Sequence, residues 1–82
     1  MSEFSHLKDK LLVEQVEDQL YHYILDTPLE PVSKLPNELK LGERFGVGRS
    51  TIREAVKLLV SKGILEVRRG SGTYVVTMTK GL

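Results

Sequence analysis

Arg49 and Arg53 stand four residues apart with Ser50 and Thr51 between them, directly after the glycine-marked turn Gly46-Val47-Gly48. On a helix, residues i and i+4 share a face, so both guanidinium groups project from one end of one element. The first turn of a helix leaves backbone N–H groups unpaired and carries the positive end of the dipole, which the hydroxyls of Ser50 and Thr51 supplement. Such an end welcomes an anion. DNA phosphates are anions of this kind, and the major-groove edge of guanine offers two acceptors that suit an arginine fork. The competing reading is a pair of surface arginines neutralised by nearby acids such as Glu54 or Glu43.

A second basic cluster, Arg68-Arg69-Gly70, reads as the tip of a hairpin. Beside a narrow minor groove a basic tip meets an enhanced negative potential, and Arg69 is expected to lead Arg68 there; the alternative is a solvated turn. Lys57 falls on the polar face of the same helix as Arg53, where a phosphate is a better partner than a base. His6 and His22 have no second ligand at metal spacing and read as surface residues. Tyr21, Tyr23 and Tyr74 read as core or rim packing.

Catalysis is poorly served. No histidine or lysine stands at a suggestive spacing to activate Ser50, and Glu38 and Glu43 lie on a short helix without an enclosing cleft. No glycine-rich loop follows a strand and precedes a helix, so neither a nucleotide site nor any other cofactor is expected. The chain reads as a binder and not an enzyme.

Eighty-two residues allow one modest core. Without cysteine there is no disulfide and no thiolate metal site, so stability rests on packing. Neither a signal segment nor a membrane-length apolar run is present, which fits a cytoplasmic setting. The formal charge of +1 conceals a division: residues 1–43 carry four lysines against nine acids, a balance of −5, and residues 44–82 carry eight bases against two acids, a balance of +6. The basic half holds Arg49 and Arg53. Such a split fits an acidic solvated face and a basic working face.

The elements that would position these groups follow from periodicity and capping. Leu12, Val16, Leu20, Tyr23 and Ile24 recur at helical spacing and predict a first helix over 11–26. Pro28 and Pro31 then enforce a loop over 27–34. Asn37 caps a second, two-turn helix through Phe45, whose interior Gly42 permits a close approach by a neighbouring helix, and Gly46 ends it in the left-handed region. A third helix runs over 49–62 with Gly48 as N-cap, burying Ile52, Ala55, Val56 and Leu59. Residues 64–67 and 73–76 read as strands joined by a turn over 68–72. The fold class expected is mainly α with a small β-hairpin: three helices and a two-stranded wing, a winged helix-turn-helix.

The wording of 35–76 resembles the N-terminal winged-helix domain of the GntR family of bacterial transcription regulators. The phrase Leu35-Pro36-Asn37-Glu38 opens the second helix, Phe45-Gly46-Val47-Gly48-Arg49 and Ile52-Arg53-Glu54-Ala55 frame the third, and Gly63-Ile64-Leu65-Glu66 leads to Arg69-Gly70-Ser71-Gly72-Thr73-Tyr74-Val75 in the wing. The resemblance implies that Arg49 and Arg53 read or clamp the major groove, that Ser50 and Thr51 bind phosphate or base edges, and that Gly70 approaches the minor groove. Residues 1–76 are expected to form the DNA-binding domain, and 77–82, which show no periodicity, the start of a linker or a frayed end, the chain being either a piece of a longer regulator with an effector domain or a stand-alone reader. The full-length protein would be a homodimer responding to a small molecule through that C-terminal domain, with double-stranded operator DNA as its partner and no membrane. A winged helix that binds protein instead of DNA is the alternative.

The chain departs from the family's pattern in four places, one of them Val32, where glycine often follows the proline. Leu39 stands where an arginine is common, Lys40 where an acid would complete a capping box, and Gly48 where a serine or threonine is common. Two neighbouring DNA contacts are thereby removed, so Arg49 and Arg53 are expected to carry a larger share of the readout.

Overall fold

The computed structural model describes residues 3–26 and 34–76, with side chains from Lys8 onward. Residues 27–33 of the proline loop expected over 27–34, the expected linker or frayed end over 77–82 and the side chain of His6 lie outside the described residues. Three helices precede a two-stranded antiparallel sheet: α1 (Glu3–Asp26), α2 (Glu38–Phe45), α3 (Arg49–Ser61), β1 (Leu65–Arg68) and β2 (Gly72–Val75).

Helix α1 begins eight residues before the expected start at Leu11. Once a packed segment supplies the nucleus, each further residue adds a hydrogen bond, and residues 3–10 contain no glycine or proline to stop propagation. The buried stripe is also displaced from the one expected. Val16, Leu20 and Ile24 are buried and Val13 packs against them, whereas Leu12 is exposed. Spacing alone could not separate Leu12 from Val13 because both lie within one helical turn of Val16. Glu17, buried on the same face, pairs with Lys62 just beyond α3, which ties the C-terminal end of α3 to the middle of α1. The core closes around Leu41, Ile52, Ala55, Leu59 and Leu65.

The N-cap of α2 is the expected one. The Asn37 side chain accepts from the Lys40 amide at 2.9 Å, and Gly46 terminates the helix at φ 72° with its N–H directed to the Gly42 carbonyl. Gly42 serves a different contact from the one expected. A Cβ there would stand 2.7 Å from the Val47 carbonyl oxygen, so the approach that demands glycine is by the turn itself and not by a neighbouring helix. The Val47 N–H meanwhile donates back to the Gly42 carbonyl at 3.0 Å.

Propensity alone favours alanine inside a helix by about 1 kcal/mol. Here the obstacle is hydrogen-bonded backbone that cannot rotate aside. Gly42→Ala should therefore destabilise, by roughly 1–3 kcal/mol, with a lowered urea midpoint by circular dichroism; an unchanged or raised midpoint would contradict the contact.

Helix α3 ends at Ser61, one residue earlier than expected, with Lys62 as its C-cap. The hairpin is shifted by a residue on each side. Leu65 faces Val75 and Arg68 faces Gly72, because the turn closes through the Ser71 amide onto the Arg68 carbonyl at 2.9 Å with Gly70 at φ 73°. Arg68 thus belongs to β1 and not to the tip. Lys34 forms a single antiparallel bridge with Tyr74, and the Leu35 amide donates to the Thr73 carbonyl at 2.8 Å, so the chain entering α2 lies along the wing.

Candidate nucleic-acid interface

The N-terminus of α3 is open. Gly48 provides no side-chain cap, and the helical hydrogen bonds begin with the Ile52 amide on the Gly48 carbonyl at 3.2 Å. The amides of Arg49, Ser50 and Thr51 are therefore the free first-turn donors, at the positive end of the helix dipole. Arg49 and Ser50 are exposed and Thr51 is half-buried. The Arg49 side chain makes no hydrogen bond or ion pair with any described residue.

Arg53 is held. Its Nε donates to Oε2 of Glu38 at 3.0 Å and its Nη2 donates to Oε1 at 2.9 Å, a two-pronged contact from α3 to the first turn of α2. The acid is neither Glu54 nor Glu43, the partners considered from sequence; Glu54 pairs instead with Lys57 at 3.4 Å. A contact across fifteen positions has no sequence period to announce it.

The Glu38 carboxyl lies below its ordinary value of 4.5, first because Arg53 donates hydrogen bonds to it. Partial desolvation opposes this, and the charges of Arg53 and Arg49 add to the lowering. With the folded value below the unfolded one, the stabilisation is present above about pH 4.5 and is lost as pH falls through the lowered value. A carbon-detected NMR titration of the Glu38 carboxyl should show that lowered midpoint rising in Arg53→Ala. An unmoved midpoint would mean the pair does not form in solution.

A groove of about 740 Å³ runs between the start of α2, the polar face of α3 and the wing. Arg53 and Lys57 line it, and so does Lys34, which the sequence did not single out. The Lys34 stem crosses Gly72: its Cε lies 2.7 Å from where a Cβ would stand. Nothing in the local pattern of 34–37 marks this lysine; only the bridge to Tyr74 places it beside the other two.

The wing separates its two arginines. The Arg68 guanidinium lies 4.3 Å from the centroid of the Tyr74 ring and 3.6 Å from Glu66, both on its own sheet face. Arg69 is exposed at the tip beside Gly70 and makes no ion pair with any described residue. Arg49, Ser50, Thr51, Arg69 and Gly70 do not line the groove; they stand on the α3 terminus and in the turn of the wing. Leu39, 53% exposed, stands in the first turn of α2. His22 is exposed on α1, 2.9 Å from the Asp18 carbonyl. Among the described helices none is long and apolar enough to cross a membrane.

Comparison with known proteins gives this arrangement a context. The sequence model described as bacterial regulatory proteins, gntR family, matches residues 12–75. The chain is 44% identical over 66 residues to the mannosyl-D-glycerate transport/metabolism system repressor MngR of Escherichia coli K12, covering 80% of this chain and 28% of that protein. It is 39% identical over 61 residues to the transcriptional repressor NagR of Bacillus subtilis 168, covering 74% and 25%. Among solved structures, Streptococcus agalactiae GntR superposes with a TM-score of 0.74 at 55% identity, over 79% of this chain and 32% of that one. The DNA-binding domain of AraR, solved in complex with operator ORX1, superposes with a TM-score of 0.70 at 38% identity, over 79% and 78%. The chain thus spans about a quarter of the length of these curated relatives.

Proposed function

Because the chain belongs to the GntR family of bacterial regulatory proteins, whose members are DNA-binding transcription regulators, we propose that it reads duplex operator DNA through the α3 terminus and the wing. Arg49, Ser50, Thr51 and Arg53 enter the major groove, Arg53 at a base edge and the hydroxyls and free amides at phosphate. Arg69 and Gly70 reach the adjacent minor groove, with Arg68 behind them on Tyr74. Lys57 and Lys34 contact phosphates from the groove between α3 and the wing. The observation that carries the reading is the uncapped N-terminus of α3 beside two exposed arginines.

The mechanism is binding and not chemistry. In the longer protein two such heads form a symmetric dimer on a pseudo-palindromic site in the cytoplasm. A small-molecule effector bound by a C-terminal domain then changes the spacing between the heads. MngR and NagR are repressors, and repression is the output proposed here.

Selection of bound sites from random duplexes, followed by titration of a recovered site at several salt concentrations, tests the reading. Neutralising about five phosphates gives a log–log slope near −4 to −5. Lys34→Ala should flatten that slope by about one, equally on recovered and scrambled duplexes. No enriched motif and no affinity for duplex would favour a protein-docking module and sink the proposal.

A further inference from the structure

The pair between Glu38 and Arg53 has a geometry beyond charge neutralisation. The carboxylate grips one edge of the guanidinium, through Nε and Nη2, with both of its oxygens. A guanidinium has five N–H donors, so two on Nη1 and one on Nη2 remain. One of each lies parallel at the far end of the group, and that end-on fork is the shape that meets the O6 and N7 acceptors of guanine. Glu38 occupies the side of Arg53 and leaves its working end open.

We propose that Glu38 is a positioning residue for base readout: it fixes the Arg53 guanidinium before DNA arrives and presents the end-on fork at a defined angle. This rests on the DNA-reading function proposed above. Three observations support it. Both side chains remain substantially solvated, 53% and 40% exposed, and surface ion pairs contribute little to folding, so stability is a poor reason for so well-formed a pair. Glu38 stands on a stiff base, the first turn of a helix capped by Asn37. Arg49, four residues earlier on the same helix, has no comparable restraint among the described residues.

The consequence is a division of labour. Arg53 pays its ordering cost before binding and discriminates among bases, whereas Arg49 remains adaptable. The Glu38 charge also repels phosphates wherever Arg53 finds no base to repay the approach, which penalises scrambled DNA more than the correct site.

The test is a double-mutant cycle on the 82-residue chain, measuring affinity for a duplex recovered by selection and for a scrambled duplex. Glu38→Gln, which cannot accept both donors, should lower the recovered-to-scrambled ratio about tenfold, and by under about twofold when Arg53→Ala is already present. Glu38→Asp keeps the charge and loses the reach; it should lower the ratio while leaving scrambled affinity unchanged. Melting temperatures should stay within a few degrees, and Glu38→Asp decides the matter should Glu38→Gln fail to fold. Equal losses with and without Arg53, or equal gains of Glu38→Gln on both duplexes with no loss in Glu38→Asp, would overturn the positioning role. An unmodified chain that does not distinguish the two duplexes fails earlier, at the DNA reading itself.

Discussion

Arg53→Ala should weaken binding to a selected duplex about 10- to 100-fold while changing affinity for a scrambled duplex by only about threefold. The asymmetry follows from where the side chain is held. An arginine clamped by Glu38 at 2.9 and 3.0 Å cannot swing freely to follow phosphates, so most of what it adds on DNA depends on the base it meets. Arg49→Ala should give the opposite balance. With its side chain unrestrained at the open end of α3, loss of Arg49 weakens both duplexes and flattens the salt slope. In the wing, Arg69→Ala should cost more than Arg68→Ala, because Arg68 already lies against Tyr74 and Glu66. Fluorescence anisotropy titrations on the two duplexes measure all of these, and equal losses for Arg53→Ala on both would remove Arg53 from base readout.

Ile52→Ala should have the largest effect on the fold, about 2–5 kcal/mol. Ile52 has no exposed surface and sits in the centre of the core. A domain of 82 residues has a total stability of roughly 4–12 kcal/mol at the usual amount per residue, so this one cavity removes a large fraction. Ile52 lies between Arg49 and Arg53 in sequence and points the other way. Its burial is what directs both arginines outward, so the population that remains folded should also read DNA poorly. Ile52→Val, which leaves a smaller void, should cost about 0.5–1.5 kcal/mol and keep binding. Urea unfolding followed by circular dichroism checks both, and an Ile52→Ala loss below that of Ile52→Val would contradict the packing.

Much of the fold was legible because its signals are short-range. Asn37 as a cap, Gly46 as a left-handed stop, Gly48 at the head of α3 and the glycine-rich turn between β1 and β2 each depend on hydrogen bonds or steric limits within a few residues. The hairpin was misplaced by one residue because strand propensity cannot say how many residues a glycine-rich turn consumes; the Ser71 to Arg68 hydrogen bond decides it. The early start of α1 was missed for a related reason. Periodicity detects the buried part of a helix, and residues 8–12 are exposed and stand outside the core.

By itself, the sequence determined the order of elements, the open N-terminus of α3 and the basic residues on its exposed side, since each follows from spacing along one chain segment. Only the tertiary structure decided what those residues touch. Glu38 rather than Glu43 or Glu54 grips Arg53, Lys34 joins the groove across Gly72, and Gly42 yields to the Val47 carbonyl. These contacts join groups that are distant along the chain or brought together by a turn, and their geometry is set by how α2, α3 and the wing dock on one core. Docking angles arise from the summed packing of many apolar side chains, and no local spacing encodes them.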